Sequence, residues 1–304
     1  MPLLILLAVF GFVAQLVDGS LGMGYGVTST TLLVAVGIAP ASASAAVNFA
    51  QLGTTLASGI SHAKMGNVDW RTVSILALPG ALGAFGGAFF LVSLSVAVAT
   101  PMVATILFVL GGYVFCRFLL LAGRRPSFNG SPSAWFLVPM GLVGGTVNSI
   151  GGGGWGPIGT TTLLSSGRLE PRKVVGSVST TEFGVTIGGS IGFLLALQLE
   201  SVPWTATIAL LIGGVIAAPF AAYLVRHLAP RVLGVAAGGM IILTNLRTLL
   251  DTAGVGGGVI GLVLGVLAAG WVWAIRTAVR ATRAERAAWA DEGTATPTGV
   301  VQVA

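Results

Sequence analysis

The chain has 304 residues, of which 55% are hydrophobic and only 8% charged. A soluble domain carries about 25% charged residues, so this composition belongs in a lipid bilayer and leaves no separate soluble domain. The formal net charge of +6 gathers in short loops and beyond Arg276, a pattern that fits cytoplasmic membrane faces and argues against nucleic acid, while a lone Cys116 excludes an internal disulfide or a cysteine metal site.

The N-terminal stretch MPLLILLAVFGFVAQLVDGS lacks the basic start and small-residue cleavage site of a secretory signal, and reads as part of the mature fold. Residues 2–17 and 24–36 form a pair of apolar segments, each too short to cross a bilayer, around the glycine-rich GMGYG at 22–26. Residues 40–61 predict the first full span. In HAKMGNVDWR, 62–71, Gly66 and Asn67 suit a tight turn and Asp69 is placed to start the next helix, while His62, Lys64 and Arg71 read as orientation signals.

Residues 72–92 and 95–116 each cross once, inside a stretch without charge from 72 to 116. A cytoplasmic basic loop, 122–133, follows. A second short pair, 134–147 and 155–166, surrounds GGGGWG at 151–156, and 174–197, 205–225, 231–250 and 256–276 complete seven full spans. Arg172 and Lys173 open a helix after Pro171, where they either orient the chain or draw anions toward a vestibule. The last span belongs to an extra C-terminal segment, 251–276. The tail, 277–304, reads as a basic interfacial helix that becomes disordered after Glu292.

Aligning residues 22–33, GMGYGVTSTTLL, with 152–163, GGGWGPIGTTTL, gives six identities in twelve at an offset of 130. The correspondence continues through Gly37 and Gly167, Pro40 and Pro171, Gln51 and Glu182, and Trp70 and Trp204. The chain therefore reads as two repeats, 1–121 and 134–250. Placing the basic loops and the C-terminus in the cytoplasm makes each short pair enter and turn back from opposite faces. The expected fold is an all-α polytopic membrane protein of about seven or eight spanning helices, with two inverted-topology repeats whose broken or re-entrant helices meet near the bilayer midplane. An alternative count makes each short pair one interrupted helix that crosses once.

The glycine breaks carry the chemistry. Glycine allows positive φ and close approach to the main chain, and a helix restarting after it presents free N–H groups and the positive end of a dipole to a small anion. Pro157 suits such a first turn. The candidate binding residues are Gly22, Gly24, Tyr25, Gly26 and Thr30 with their counterparts Gly152, Gly154, Trp155, Gly156 and Thr160, together with the amides Asn48, Gln51 and Asn148. Close helix packing is the bland explanation of the glycines, and interhelical hydrogen bonding that of the amides.

Asp18 is the sole charge between residues 1 and 61, and Glu182 the sole charge between 174 and 199. Charges are costly at this depth, and a carboxyl withdrawn from water takes up a proton more readily, which suits proton coupling by Glu182 and Asp18. For Asp18 a helix cap is the competing role. No HExxH motif or Cys/His cluster points to an enzyme or a metal site.

The segments DGSLGMGYGVTSTTLL, SGISHAKMGNVDW, GGGGWGPIGTTTLL and EPRKVVGSVSTTEFGVT resemble motifs of the sulfite exporter TauE/SafE family of membrane permeases, over nearly the full length to about residue 275. The resemblance implies a secondary transporter, without cofactor, that exports small sulfur-containing anions such as sulfite or organosulfonates across the inner, cytoplasmic membrane, driven by protons. Its partners would be the anion, protons and membrane lipids. Met23 faces Gly153 across the duplication, so the two halves are no longer equivalent. A passive anion channel of the same fold is the alternative.

Overall fold

The computed structural model describes residues 2–120, 132–166, 168–224 and 230–294. Among the described residues all regular structure is helical. The first sequence copy forms α1 (Pro2–Leu21), α2 (Tyr25–Ala35), α3 (Pro40–Lys64), α4 (Trp70–Ser93) and α5 (Val96–Leu120). The second forms α6 (Ala134–Gly151), α7 (Trp155–Ser166), α8 (Pro171–Ala196), α9 (Trp204–Leu224) and α10 (Pro230–Thr252), and α11 (Gly257–Thr294) follows. Most of the expected loop 122–133, residues 225–229 and the tail from 295 onward lie outside the described residues.

Local chemistry sets the boundaries. Pro40 and Pro171 occupy the first turns of α3 and α8, where a missing N–H costs nothing. Asp69 caps α4 as expected, accepting from the Thr72 N–H at 3.1 Å and the Thr72 hydroxyl at 2.5 Å. Gly66 turns the chain with φ of 69°.

Seven helices among the described residues are long and apolar enough to span a membrane: α1, α4, α5, α6, α8, α9 and α11. The number of spans agrees with expectation, but their identity differs. α1 and α6 have 20 and 18 residues, because helix continues through Asp18–Leu21 and Asn148–Gly151. At about 1.5 Å per residue α1 is roughly 30 Å long, so it is not the short segment the sequence suggested. α3 and α10 match the others in length, with 25 and 23 residues, but carry more polar side chains. α11 also departs from expectation: it runs 38 residues without a break at Arg276, since its alanine-, arginine- and glutamate-rich end favours helix.

The packing exchanges partners between the copies. α1 lies along α9 and α6 along α4, so the first helix of each copy packs on the fourth helix of the other, while α3 pairs with α8 and α5 with α10. Glycines set these approaches: a Cβ on Gly11 would strike the Leu210 backbone, and one on Gly145 would overlap Gly80 O. The outer faces of α4 and α9 expose Leu78, Leu82, Phe89, Ile212, Ile216 and Phe220, as lipid contact requires. The inner pair is polar. Asn48, Gln51, Thr55 and Ser58 of α3, with Ser179, Glu182, Thr186 and Ser190 of α8, are all buried.

Candidate functional site

α1 ends at Gly22, which turns the chain with φ of 67°, and α2 restarts at Tyr25 after Gly24 with φ of 132°. At the matched place α6 ends at Gly152, with φ of 69°, and α7 restarts at Trp155. The two breaks meet. A Cβ on Gly26 would overlap Gly152 O, and one on Gly156 would lie 2.5 Å from Met23 Cα, so main chain rests on main chain where side chains would intervene. The Thr160 hydroxyl crosses between the breaks and donates to Gly22 O at 2.5 Å.

Each restarting helix is capped by the residue seven places before it. Asp18 Oδ1 accepts from the Tyr25 N–H at 3.2 Å, and Asn148 Oδ1 accepts from the Trp155 N–H at 3.1 Å. One amide of each exposed helix end is therefore already taken, and Asp18 is a helix cap. Both aromatic rings are fully buried and anchored: Tyr25 Oη donates to Leu210 O at 2.9 Å and Trp155 Nε1 to Val178 O at 3.1 Å. Tyr25 thus holds α9, and Trp155 holds α8.

Beside the breaks, Gln51 Nε2 donates to Glu182 Oε1 at 3.0 Å, joining two residues that face each other in the duplication. Glu182 also lies within electrostatic reach of Asp18, so the two carboxyls expected inside the membrane share one neighbourhood. Asn48 serves its own helix, donating from Nδ2 to Ser44 O at 2.9 Å, with its Oδ1 unpaired beside Gly189.

The model of the sulfite exporter TauE/SafE family matches residues 7–248, a stretch that contains both breaks, both caps and the Gln51–Glu182 pair. The chain belongs to the TauE/SafE family. It is 49% identical over 256 residues to the "Probable membrane transporter protein YtnM" of Bacillus subtilis (strain 168), covering 83% of this chain and 84% of that protein. No solved structure matches it. The protein is a multi-pass membrane transporter of this family rather than an enzyme.

Several features of this TauE/SafE transporter were not foreseen from its sequence. Gln15, one turn before Asp18 on α1, is buried with neither amide atom paired. Asn245 of α10 donates to the Thr31 hydroxyl at 2.9 Å and ties α10 to α2. Each is a lone amide in an apolar run, the signal that could have found them. His62, read as an orientation signal, is fully buried, with Nδ1 3.4 Å from Asn67 Nδ2. Arg172 is held by its neighbour, donating from Nε to Glu170 Oε2 at 2.7 Å, and this bond keeps the exposed Glu170 carboxyl below its usual range. The sequence, expected to lack a GxSxG motif, does carry that spacing in GGSIG at 188–192. This segment lies inside α8 rather than at a strand-to-helix turn, so Ser190 is no nucleophile elbow.

Among the described residues no group of three His, Cys, Asp or Glu could hold a metal ion. A cavity of about 590 Å³ is lined by Tyr113, Ser133, Phe136, Thr162, Ser166 and Arg168 among others. It lies toward the C-terminal end of α7, away from the glycine breaks, and contains none of the residues expected to bind substrate.

Proposed function

We propose that the protein is a proton-coupled secondary transporter that exports small sulfur-containing anions, such as sulfite or organosulfonates. The observation that carries this reading is the meeting of two glycine breaks, where two helices restart with their positive ends beside one another. Discontinuous helices contributed by two related halves are a recurring way to build a transport site. The candidate binding residues at the first break are Gly22, Gly24, Tyr25, Gly26 and Thr30. At the second they are Gly152, Gly154, Trp155, Gly156 and Thr160, with Asn48, Gln51 and Asn148 alongside.

The two halves run in opposite senses in this reading, with the basic loops and the C-terminus in the cytoplasm. The backbone contact between the breaks is then the closed gate, and rocking of one half against the other parts them. Glu182 and Asp18 carry the coupling proton, as ionisable groups buried within membrane-spanning helices commonly do in transporters. Arg168 on the wall of the α7 cavity supplies a positive approach for anions.

Reconstituted vesicles assayed with a panel of sulfur oxyanions and sulfonates test this directly. Accumulation of one of them that follows an imposed pH difference is the expected result. Flux indifferent to that difference, accompanied by single-channel currents, would make the protein a passive anion channel instead.

A further inference from the structure

We propose that the anion site is one-sided: the α7 break receives the small oxyanion, while the α2 break is filled by the carboxyl of Asp18. This deepens the functional reading above and rests on it. The two breaks are matched residue for residue in the duplication, yet their hydrogen bonding differs. At the α2 break the Tyr25 N–H is bonded to Asp18, the Thr28 hydroxyl donates to Gly24 O at 2.6 Å, and Gly22 O accepts from Thr160. The groups at the turn itself are paired, and the unpaired Gln15 amide and Ser29 hydroxyl lie one turn to either side of it.

At the α7 break two buried donors have no partner. Asn148 spends Oδ1 on the Trp155 N–H, which leaves its Nδ2 at the start of α7 with nothing to bond. The Thr30 hydroxyl lies against Gly152 unpaired, although its counterpart Thr160 is bonded. The Ser149 hydroxyl, in the last turn of α6, is unpaired as well but lies beside Gly189 and Asn48. All three residues are fully buried.

Buried donors normally find acceptors, so two unmet ones at a single helix N-terminus call for a ligand rich in acceptor oxygens. A sulfite or sulfonate group carries three. The donors are neutral, which suits an anion that must also leave, and the helix end adds positive potential. At the matched place in the first half, Asp18 already presents carboxyl oxygens to α2, with Glu182 within electrostatic reach. A second anion there would meet the carboxyl of Asp18 at the helix start.

Exchanging the two caps provides the test, with sulfite as the probe and equilibrium binding to purified full-length protein in detergent as the measurement. Asn148→Asp places a carboxyl where the anion's oxygens would sit and should weaken binding by a hundredfold or more. Asp18→Asn removes a nearby acid and should bind sulfite as tightly as the parent chain or more tightly. Thr30→Val should weaken binding about tenfold. Ser20→Ala, whose hydroxyl donates to Leu16 O at the α2 side, should leave it unchanged.

Equal losses in the two cap variants would overturn the one-sided site while leaving a transporter that binds across both breaks. Binding by Asn148→Asp at parental strength would overturn it too. Should that variant fail to elute as a folded species, Thr30→Val carries the test, and parental affinity there overturns the assignment. A parent chain that binds neither sulfite nor any sulfonate would overturn the functional reading beneath it.

Discussion

At the scale of single residues, the most consequential pair is Gln51 and Glu182. Their 3.0 Å hydrogen bond supplies Glu182 with a donor in a setting where a bare carboxyl is costly. Replacing Gln51 by Leu strips that donor away and should cost about 1–3 kcal/mol, read as a lower thermal midpoint in detergent. Glu182→Gln keeps the hydrogen-bonding shape but cannot release a proton. That variant should bind substrate yet fail to accumulate it under an imposed pH difference, and undiminished pH-driven uptake would assign the proton to another group. Asp69 is a simpler case. It caps α4 through the Thr72 N–H and hydroxyl, so Asp69→Ala should lower stability by about 1 kcal/mol without changing substrate affinity.

At the scale of helices, glycine decides which partners can touch. Gly145 and Gly86 lie on the two helices of the α4–α6 pair, yet a Cβ on Gly145 would overlap Gly80 O while one on Gly86 meets nothing within 4 Å. Gly145→Val should therefore abolish folded protein on size-exclusion, whereas Gly86→Ala should be neutral or gain up to about 1 kcal/mol in thermal stability. The same reasoning explains what could be read from the chain beforehand. The glycine breaks, the cap on α4 and the prolines that open α3 and α8 were visible because proline, glycine and aspartate act locally. The full length of α1 and α6 was not, because Asp18–Leu21 and Asn148–Gly151 look like turn residues until each helix is held against its distant partner. Asn148 illustrates the limit most clearly: its sequence suggested a donor to the anion, and only the fold shows its oxygen committed to the Trp155 N–H. Gly24 and Gly154 look like clean sites for a blocking Val, but Gly24 has a φ of 132° and a Cβ on Gly154 would press on Val147 and the Asn148 N–H. Such variants would damage the break itself.

At the scale of the whole molecule, α1 to α10 among the described residues form the unit that carries both breaks, and α11 stands largely beside it. The span of α11 is only 11% buried, it packs on α10 through Ala274, Ala278 and the Trp271 bond to Val235 O, and the family match ends at residue 248, before it begins. A chain ending at Gly256 should accordingly keep transport of the parent's substrate in vesicles, with a reduced thermal midpoint. Loss of all folded material would show that α11 is required to hold α5 and α10 together.

The exchange of partners between the copies also governs how the protein is made. When α1 enters the membrane, α9, the helix against which its glycines fit, has yet to be synthesised, and α4 likewise waits for α6. The early helices must stay in the bilayer as separate, loosely associated rods until the second half is threaded in, since contacts so distant along the chain form late. Insertion and assembly are therefore distinct events in this protein, and its most vulnerable moment falls between them.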